Sequence, residues 1–126
     1  MMKRKQLTPA TRRLIYEKFN GHCAYCGREI AYKDMQVDHI KPLGAYSEAN
    51  RGTDTIDNMY PACRLCNHYK RSSTVEAFRD MIHNIPFKLG RDSYIYKVGC
   101  AYGFFDTGPR PVEFYFERCG KPDKEA

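Results

Sequence analysis

Residues 23–66 read CAYCGREIAYKDMQVDHIKPLGAYSEANRGTDTIDNMYPACRLC, and a Cys-x-x-Cys pair stands at each end of this stretch. The pairs are Cys23 with Cys26 and Cys63 with Cys66. Four thiolates complete the tetrahedral ligand set of Zn²⁺ and leave no position for a reacting water. The sequence therefore predicts a closed structural zinc site around which the rest of the chain is organised.

The cysteines could in principle form disulfides instead, since the chain has six of them. The Cys-x-x-Cys spacing favours metal thiolates, and the basic start MMKRKQLTP is not followed by the apolar segment of a secretory signal. No apolar run approaches the ~18 residues of a membrane helix. We therefore expect a cytoplasmic protein, with Cys100 and Cys119 as free thiols.

The net charge of +6 over 126 residues indicates a polyanionic partner. Charge alone would suit DNA, RNA or an anionic membrane surface equally well. Much of the positive charge lies in residues 1–20, where Arg12 and Arg13 could contact phosphates or simply form a solvated helix face. The residues that we expect to contact nucleic acid are Lys3, Arg4, Lys5, Arg12, Arg13, Arg64, Lys70 and Arg71.

Polar groups of a second kind lie between and beside the cysteine pairs. Asp38 and His39 are adjacent, and Asn67 follows Cys66 directly. Carboxylate and amide oxygens can hold a metal ion, and an imidazole that titrates near neutral pH can activate a water. Neighbours in an ideal strand point to opposite faces, so Asp38 and His39 share one site only if the strand twists or ends there.

The order of these motifs resembles the HNH endonuclease family, which has a Cys-x-x-Cys, an Asp-His-Ile, a middle Asn and a second Cys-x-x-Cys followed by Asn or His. Here they stand as CAYC, VDHI, DNMYPAC and CRLCNHYK, with Met59 where Leu is more usual. The resemblance implies a metal-dependent endonuclease that hydrolyses phosphodiester bonds, with double-stranded DNA as its partner. It also implies a small protein of a type common in phages. We expect a monomer or weak homodimer.

The resemblance also implies a role for each residue. His39 would be the general base, Asp38 and Asn67 would hold one divalent ion, and Asn58 would tie down the loop that orients His39. The ion would be Mg²⁺ or Mn²⁺, with Ni²⁺ possible, beside the structural Zn²⁺. His68 competes with Asn67 as a metal ligand. The alternative from another functional class is a non-catalytic zinc-containing module that binds nucleic acid.

The predicted fold class is α+β: a zinc-stapled ββα-metal module with an N-terminal helix and a C-terminal β-hairpin. We expect one domain over residues 1–126, with strands near 35–40 and 56–62 and a helix from Arg64 through Arg71. The hairpin is predicted because Tyr94, Tyr96 and Val98 alternate with other residues. The predicted segments are a basic arm with a helix at 9–19 (1–20), the zinc knuckles and ββα core (21–72), a helix (73–90) and the hairpin (91–120).

Overall fold

The computed structural model describes residues 6–44, 51–106, 108 and 110–120, and its fold class is α+β as predicted. Two compact units divide the chain, Met1–Thr74 with Glu113–Ala126 and Val75–Val112, so the expectation of a single domain stays a prediction. The elements of the described residues are α1 (Pro9–Glu17), β1 (Gln36–His39), β2 (Met59–Ala62), α2 (Arg64–Lys70), α3 (Val75–His83), α4 (Ile85–Asp92), α5 (Tyr94–Ala101) and α6 (Tyr115–Cys119).

The ββα unit consists of β1, β2 and α2. The two strands are antiparallel, with Asp38 opposite Tyr60 and His39 opposite Met59. Both are shorter than predicted, because β1 ends at His39 and a 3-10 turn occupies Ile56–Asn58 before β2 begins. Cys63 begins α2 as its N-cap, and its sulfur accepts a hydrogen bond from the Cys66 backbone N–H at 3.4 Å. The cysteine pair therefore also starts the helix.

Helix α1 packs on the outer side of this unit. Thr8 caps the helix by accepting from the Thr11 backbone N–H at 3.1 Å, as its sequence predicts. Ile15 is fully buried and clusters with Met35 and Met59, which precede β1 and open β2. Burying an aliphatic side chain of this size contributes about 1.5–3 kcal/mol. The cluster therefore fixes α1 against the two strands.

Two basic side chains of the N-terminal region fasten α1 to the core. Arg12 donates to the Met35 carbonyl at 3.1 Å, and Lys18 donates to the carbonyls of Ile56 and Met59 at 2.6 and 2.7 Å. These cations satisfy backbone acceptors that would otherwise need water or another donor. Part of the positive charge of this region is thus structural.

The C-terminal segment closes over the first cysteine pair. The backbone N–H groups of Tyr115 and Phe116 donate to the carbonyls of Tyr25 and Ala24 at 3.0 and 2.8 Å. Phe114 is buried and meets the Tyr25 ring edge-on, with centroids 5.3 Å apart. Residues Glu113–Ala126 belong to the same compact unit as the ββα core. Aromatic packing here surrounds Tyr25.

The predicted C-terminal hairpin is wrong, because Tyr94–Ala101 forms helix α5 and Tyr115–Cys119 forms helix α6. The side chain of Ser93 caps α5 by accepting from the Tyr96 backbone N–H at 3.2 Å. A short apolar run fits both periods, since Tyr94, Val98 and Tyr102 also recur at helical spacing. Periodicity alone could not decide between strand and helix in this run.

The helix predicted over residues 73–90 is two helices. Helix α3 ends at His83, and α4 begins at Ile85 with Pro86 in its first turn. Proline is accepted there because the first-turn N–H groups have no partner within the helix. Within the described residues, no helix combines the length and apolar character needed to cross a membrane.

Candidate active site

The four cysteines of the two pairs form one cluster, in which the sulfur atoms lie within 4.8 Å of one another. The Cys26 and Cys63 sulfurs are 3.8 Å apart, and neither cysteine is in a disulfide. A tetrahedral ion with Zn–S bonds of about 2.3 Å requires sulfurs roughly 3.8 Å apart. The cluster therefore fits a zinc ion in both ligand chemistry and spacing.

Electrostatics within the cluster already favour a thiolate. The hydrogen bond from Cys66 lowers the pKa of Cys23 to about 4. The same contact, together with burial, raises the pKa of Cys66. The Cys23 and Cys66 sulfurs thus share one proton, and a divalent cation would displace it on binding.

Asp38, His39 and Asn67 line one cavity of about 240 Å³, here called the active-site cavity. The strand ends at His39, so the two adjacent side chains reach the same space despite the alternation of a regular strand. Asn67 reaches it from the first turn of α2. The remaining lining residues are Val37, Pro42, Leu43, Gly44, Arg71 and Ser72.

Two side chains, those of Tyr25 and Lys70, donate hydrogen bonds to the carboxylate of Asp38. The Tyr25 hydroxyl donates to Asp38 Oδ2 at 2.5 Å, and Lys70 Nζ lies 3.0 Å from Oδ2 and 3.3 Å from Oδ1. Burial raises the pKa of Asp38, while the bond from Tyr25 and the charge of Lys70 oppose that rise. Burial also raises the pKa of Tyr25, so its phenol stays protonated and donates. Oδ1 makes only the longer contact to Lys70, so it is the carboxylate oxygen better placed to coordinate a metal ion.

Lys70 is 1% exposed, so it cannot make the phosphate contact that the sequence suggested. Its ammonium also donates to the carbonyls of His39 and Ser73 at 3.1 and 2.9 Å. A buried ammonium requires such partners, because losing water costs several kcal/mol per ion. Lys70 thus joins α2 to both Asp38 and the His39 backbone.

The imidazole of His39 is oriented by a carboxylate that sequence reasoning missed. Its Nε2 lies 2.8 Å from Oδ1 of Asp54, and its side chain is 13% exposed. A carboxylate only accepts, so Nε2 carries the proton and Nδ1 is the basic nitrogen of the neutral ring. Asp54 lies 15 residues away in an aperiodic loop, which gives no sequence signal.

The amide of Asn67 is oriented by Gln36, which precedes Asp38 by two residues on β1. Asn67 Nδ2 donates to Gln36 Oε1 at 2.7 Å. The amide nitrogen is thereby occupied, so the Asn67 oxygen is the atom that can serve as a ligand. His68, the competing metal ligand, is exposed and does not line the active-site cavity.

Asn58 ties both ends of the loop that follows β1. Its Oδ1 accepts from the Lys41 backbone N–H at 2.9 Å, and its Nδ2 donates to the carbonyls of Lys41 and Thr53 at 3.0 and 2.8 Å. Gly52 permits this approach, since a Cβ there would lie 2.0 Å from the Lys41 carbonyl oxygen. The same stretch carries Asp54 to His39.

The other residues predicted to contact nucleic acid have different surroundings. Lys3, Arg4 and Lys5 lie outside the described residues. The Arg13 guanidinium lies over the Tyr32 ring at 4.2 Å, and Arg12 is bonded to the core as described above. Arg64 and Arg71 are exposed, and of the two only Arg71 lines the active-site cavity, with a φ of 52° at the end of α2.

Residues 23–73 match a family model described as HNH endonuclease. Over 100 residues, or 78% of this chain, the sequence is 27% identical to the CRISPR-associated endonuclease Cas9 of Corynebacterium diphtheriae (strain ATCC 700971 / NCTC 13129 / Biotype gravis). The fold is similar to that of a Type II-C Cas9 enzyme from Actinomyces naeslundii, with a TM-score of 0.51 and 23% identity over 64% of this chain. The chain covers only 8% of each of these two proteins.

The matched stretch holds both cysteine pairs and the polar residues of the active-site cavity from β1 and α2. It also holds Asn58, and the ββα unit around it is the part of the fold that the family pattern predicted. The resemblance is therefore confirmed: residues 23–73 of this chain match the HNH endonuclease family model.

Proposed function

We propose that this protein is a metal-dependent endonuclease that hydrolyses phosphodiester bonds in DNA. The observation that carries the proposal is the convergence of a carboxylate, an imidazole and an amide on one cavity, since Asp38, His39 and Asn67 all lie within the stretch that matches the HNH model. Each of the three is oriented by a separate partner from elsewhere in the fold. A packing role alone would not require all three partners.

His39 acts as the general base in this proposal. Asp54 accepts from Nε2–H, so Nδ1 takes the proton of the attacking water, and the carboxylate then stabilises the imidazolium. The water oxygen bonds to phosphorus and the bond from phosphorus to the 3′ oxygen breaks. The products are a 5′-phosphate and a 3′-hydroxyl, whose proton comes from solvent.

Asp38 and Asn67 are the residues that would hold the catalytic ion. Oδ1 of Asp38 and the amide oxygen of Asn67 border one cavity, and oxygen donors of this kind suit Mg²⁺ or Mn²⁺ better than a second zinc. When bound, such an ion neutralises charge on the phosphate and on the departing oxygen. Lys70 and Gln36 keep the two donor side chains in place.

Arg71 and Asn58 would support the reaction without taking part in proton transfer. Arg71 brings a cation to the lining of the active-site cavity, where a phosphate diester would lie. Asn58 fixes the loop that carries Asp54, so it would act on the orientation of His39. This is the role that the family resemblance implied for it.

One observation favours a second candidate, a non-catalytic zinc-containing module that binds nucleic acid. Asp38 is 3% exposed and already paired with Lys70 and Tyr25, so its burial is explained without a metal ion. In that case the exposed basic residues would bind DNA and nothing would be cleaved. The two candidates differ in one measurable property, which is DNA cleavage.

The deciding experiment is cleavage of supercoiled plasmid and of end-labelled linear, nicked and branched DNA with Mg²⁺, Mn²⁺ or Ni²⁺. We expect cleavage with at least one ion, 5′-phosphate ends on mapping, and loss of cleavage in the His39→Ala variant. His83→Ala is the matched control, because His83 bonds to the Arg110 carbonyl in the other compact unit. Intact plasmid with every ion across a range of salt would contradict the endonuclease and favour the binding module instead.

A further inference from the structure

A second cavity, of about 460 Å³, borders the cysteine cluster at Cys63 and is lined by three basic side chains, Arg28, Lys33 and Arg64. One acidic residue, Asp34, lines it as well, so the lining has a net positive charge. We call this the basic cavity. Its other lining residues are Ile30, Met35, Gln36, Cys63 and Leu65.

The three basic side chains differ from several other described cations in having no bonding partner within the described part of the protein. In the described ranges, none of the three forms a hydrogen bond or ion pair through its side chain, and all three are exposed. By contrast, the cations that already have hydrogen-bonding partners include Arg12, Lys18, Lys70, Arg79, Arg91 and Arg110. Like charges gathered in a concave surface raise the local positive potential and attract an anion.

The basic cavity lies next to the active-site cavity along the same strand. Met35 and Gln36 line the first, whereas Val37, Asp38 and His39 line the second. Gln36 also accepts the hydrogen bond of Asn67, so one bonded pair of side chains stands between the two cavities. Neighbouring residues of one segment therefore line both cavities.

We propose that Arg28, Lys33 and Arg64 form a subsite for backbone phosphates of the DNA strand, next to the phosphate in the active-site cavity. The inference rests on the proposed function, because it takes the active-site cavity as the place of the scissile phosphate. Arginine and lysine contacts of this kind position the strand and carry no sequence information. Arg64 therefore acts beside the cleaved bond, not on it.

The competing explanation is local charge compensation at the zinc site. Cys63 lines the same cavity, and four thiolates around one zinc ion carry a net negative charge. Basic side chains nearby would then stabilise the metal cluster, whether or not DNA is present. Zinc content and DNA binding separate the two explanations.

The test uses the zinc-loaded full chain and a fluorescent DNA duplex, without divalent ions in the buffer, and measures affinity by anisotropy over a range of salt. The variant carries Arg28→Gln, Lys33→Gln and Arg64→Gln together. We expect the slope of log K against log[salt] to become shallower by up to about 2.7, from about 0.9 per phosphate contact. Zinc content should remain that of the parent. The single variant Lys33→Gln should lower the slope by about 0.9.

The control variant carries Lys88→Gln, Arg91→Gln and Lys97→Gln, which removes the same formal charge from exposed positions of the other compact unit. A slope change equal to that of the control would overturn the proposal, as would loss of zinc without a selective change in slope. Cleavage by the parent is scored separately. If the triple variant shows a selective slope change but the parent cuts no DNA, both the proposed function and the placement of the subsite beside a scissile phosphate are wrong. Cleavage without a selective slope change would defeat the subsite alone.

Discussion

The cysteine cluster and the active-site cavity both draw on the ββα unit, but different kinds of contact hold them. The cluster consists of four identical ligands in two local pairs, and α2 begins at one of its members. The cavity consists of three different side chains, each oriented by a residue distant in sequence. The first arrangement builds the fold, whereas the second depends on a fold already built. Variants of the two regions should therefore fail in different ways.

The largest effect is expected from Cys66→Ser. Loss of one thiolate should release zinc and unfold the Met1–Thr74 unit, because metal binding supplies ~10 kcal/mol or more of folding free energy in small zinc modules. Zinc content by mass spectrometry and thermal melting measure this. Cys100→Ser is the matched control, since Cys100 lies outside the cluster. Equal losses of zinc and melting temperature in both variants would contradict the ligand assignment.

His39→Ala should show the opposite pattern, with the fold and zinc intact and the single-turnover cleavage rate reduced ~10²–10⁴-fold. The reason is that His39 contributes a proton acceptor, and its side chain has no part in the cysteine cluster. Raising the Mn²⁺ concentration should not restore the rate. A variant that cleaves at the parent rate near neutral pH would remove His39 from the mechanism.

Lys70→Met should affect both stability and the active-site cavity, because the buried Lys70 ammonium contacts Asp38. Removing the ammonium leaves Asp38 buried without its cation, which should destabilise the protein by about 3–5 kcal/mol in urea unfolding. The double variant Lys70→Met with Asp38→Asn removes both charges and should recover part of this loss. An additive result would show that the two side chains do not stabilise each other.

The smallest effect is expected from Asp54→Ala, which removes the acceptor at Nε2 of His39. The value of kcat should fall about 10–100-fold, as for other residues that orient a functional histidine, and KM should stay the same. Asp54→Asn keeps an acceptor oxygen and should recover much of the rate. Asp57→Ala, a change of the same type three residues later, is the control. If Asp54→Ala keeps the kcat of the parent, contacts other than Asp54 orient His39.

The sequence predicted the parts of the molecule whose determinants are local. The cysteine spacing predicted the cluster and the motif order predicted the ββα unit, both as observed. The helix predicted at 9–19 is observed at Pro9–Glu17. The predicted C-terminal hairpin is wrong because the apolar run from Tyr94 to Tyr102 fits both the strand period and the helix period, and the run forms a helix that Ser93 caps.

The partners of the active-site residues could be predicted less well, because they are contacts between distant segments. Gln36 and Asp38 share one face of β1, which the alternation of the strand does indicate. Tyr25 stands inside the first cysteine pair, where nothing in the sequence indicates its bond to Asp38. Lys70 was predicted to contact nucleic acid, but it is buried in the fold. A lysine in a helical segment gives no sign in the sequence of whether its face of the helix is buried or exposed.

The closure of residues 114–116 over the first cysteine pair has a consequence for synthesis on the ribosome. Phe114 packs on Tyr25, Tyr25 donates to Asp38, and the N–H groups of Tyr115 and Phe116 bond to the backbone beside Cys23. The ribosome makes these residues well after Lys70, with the whole Val75–Val112 unit in between. The aromatic packing on Tyr25 is thus completed late in synthesis, and a nascent chain that stops before Phe114 carries every HNH motif but lacks the ring that packs on the Tyr25 donor of Asp38.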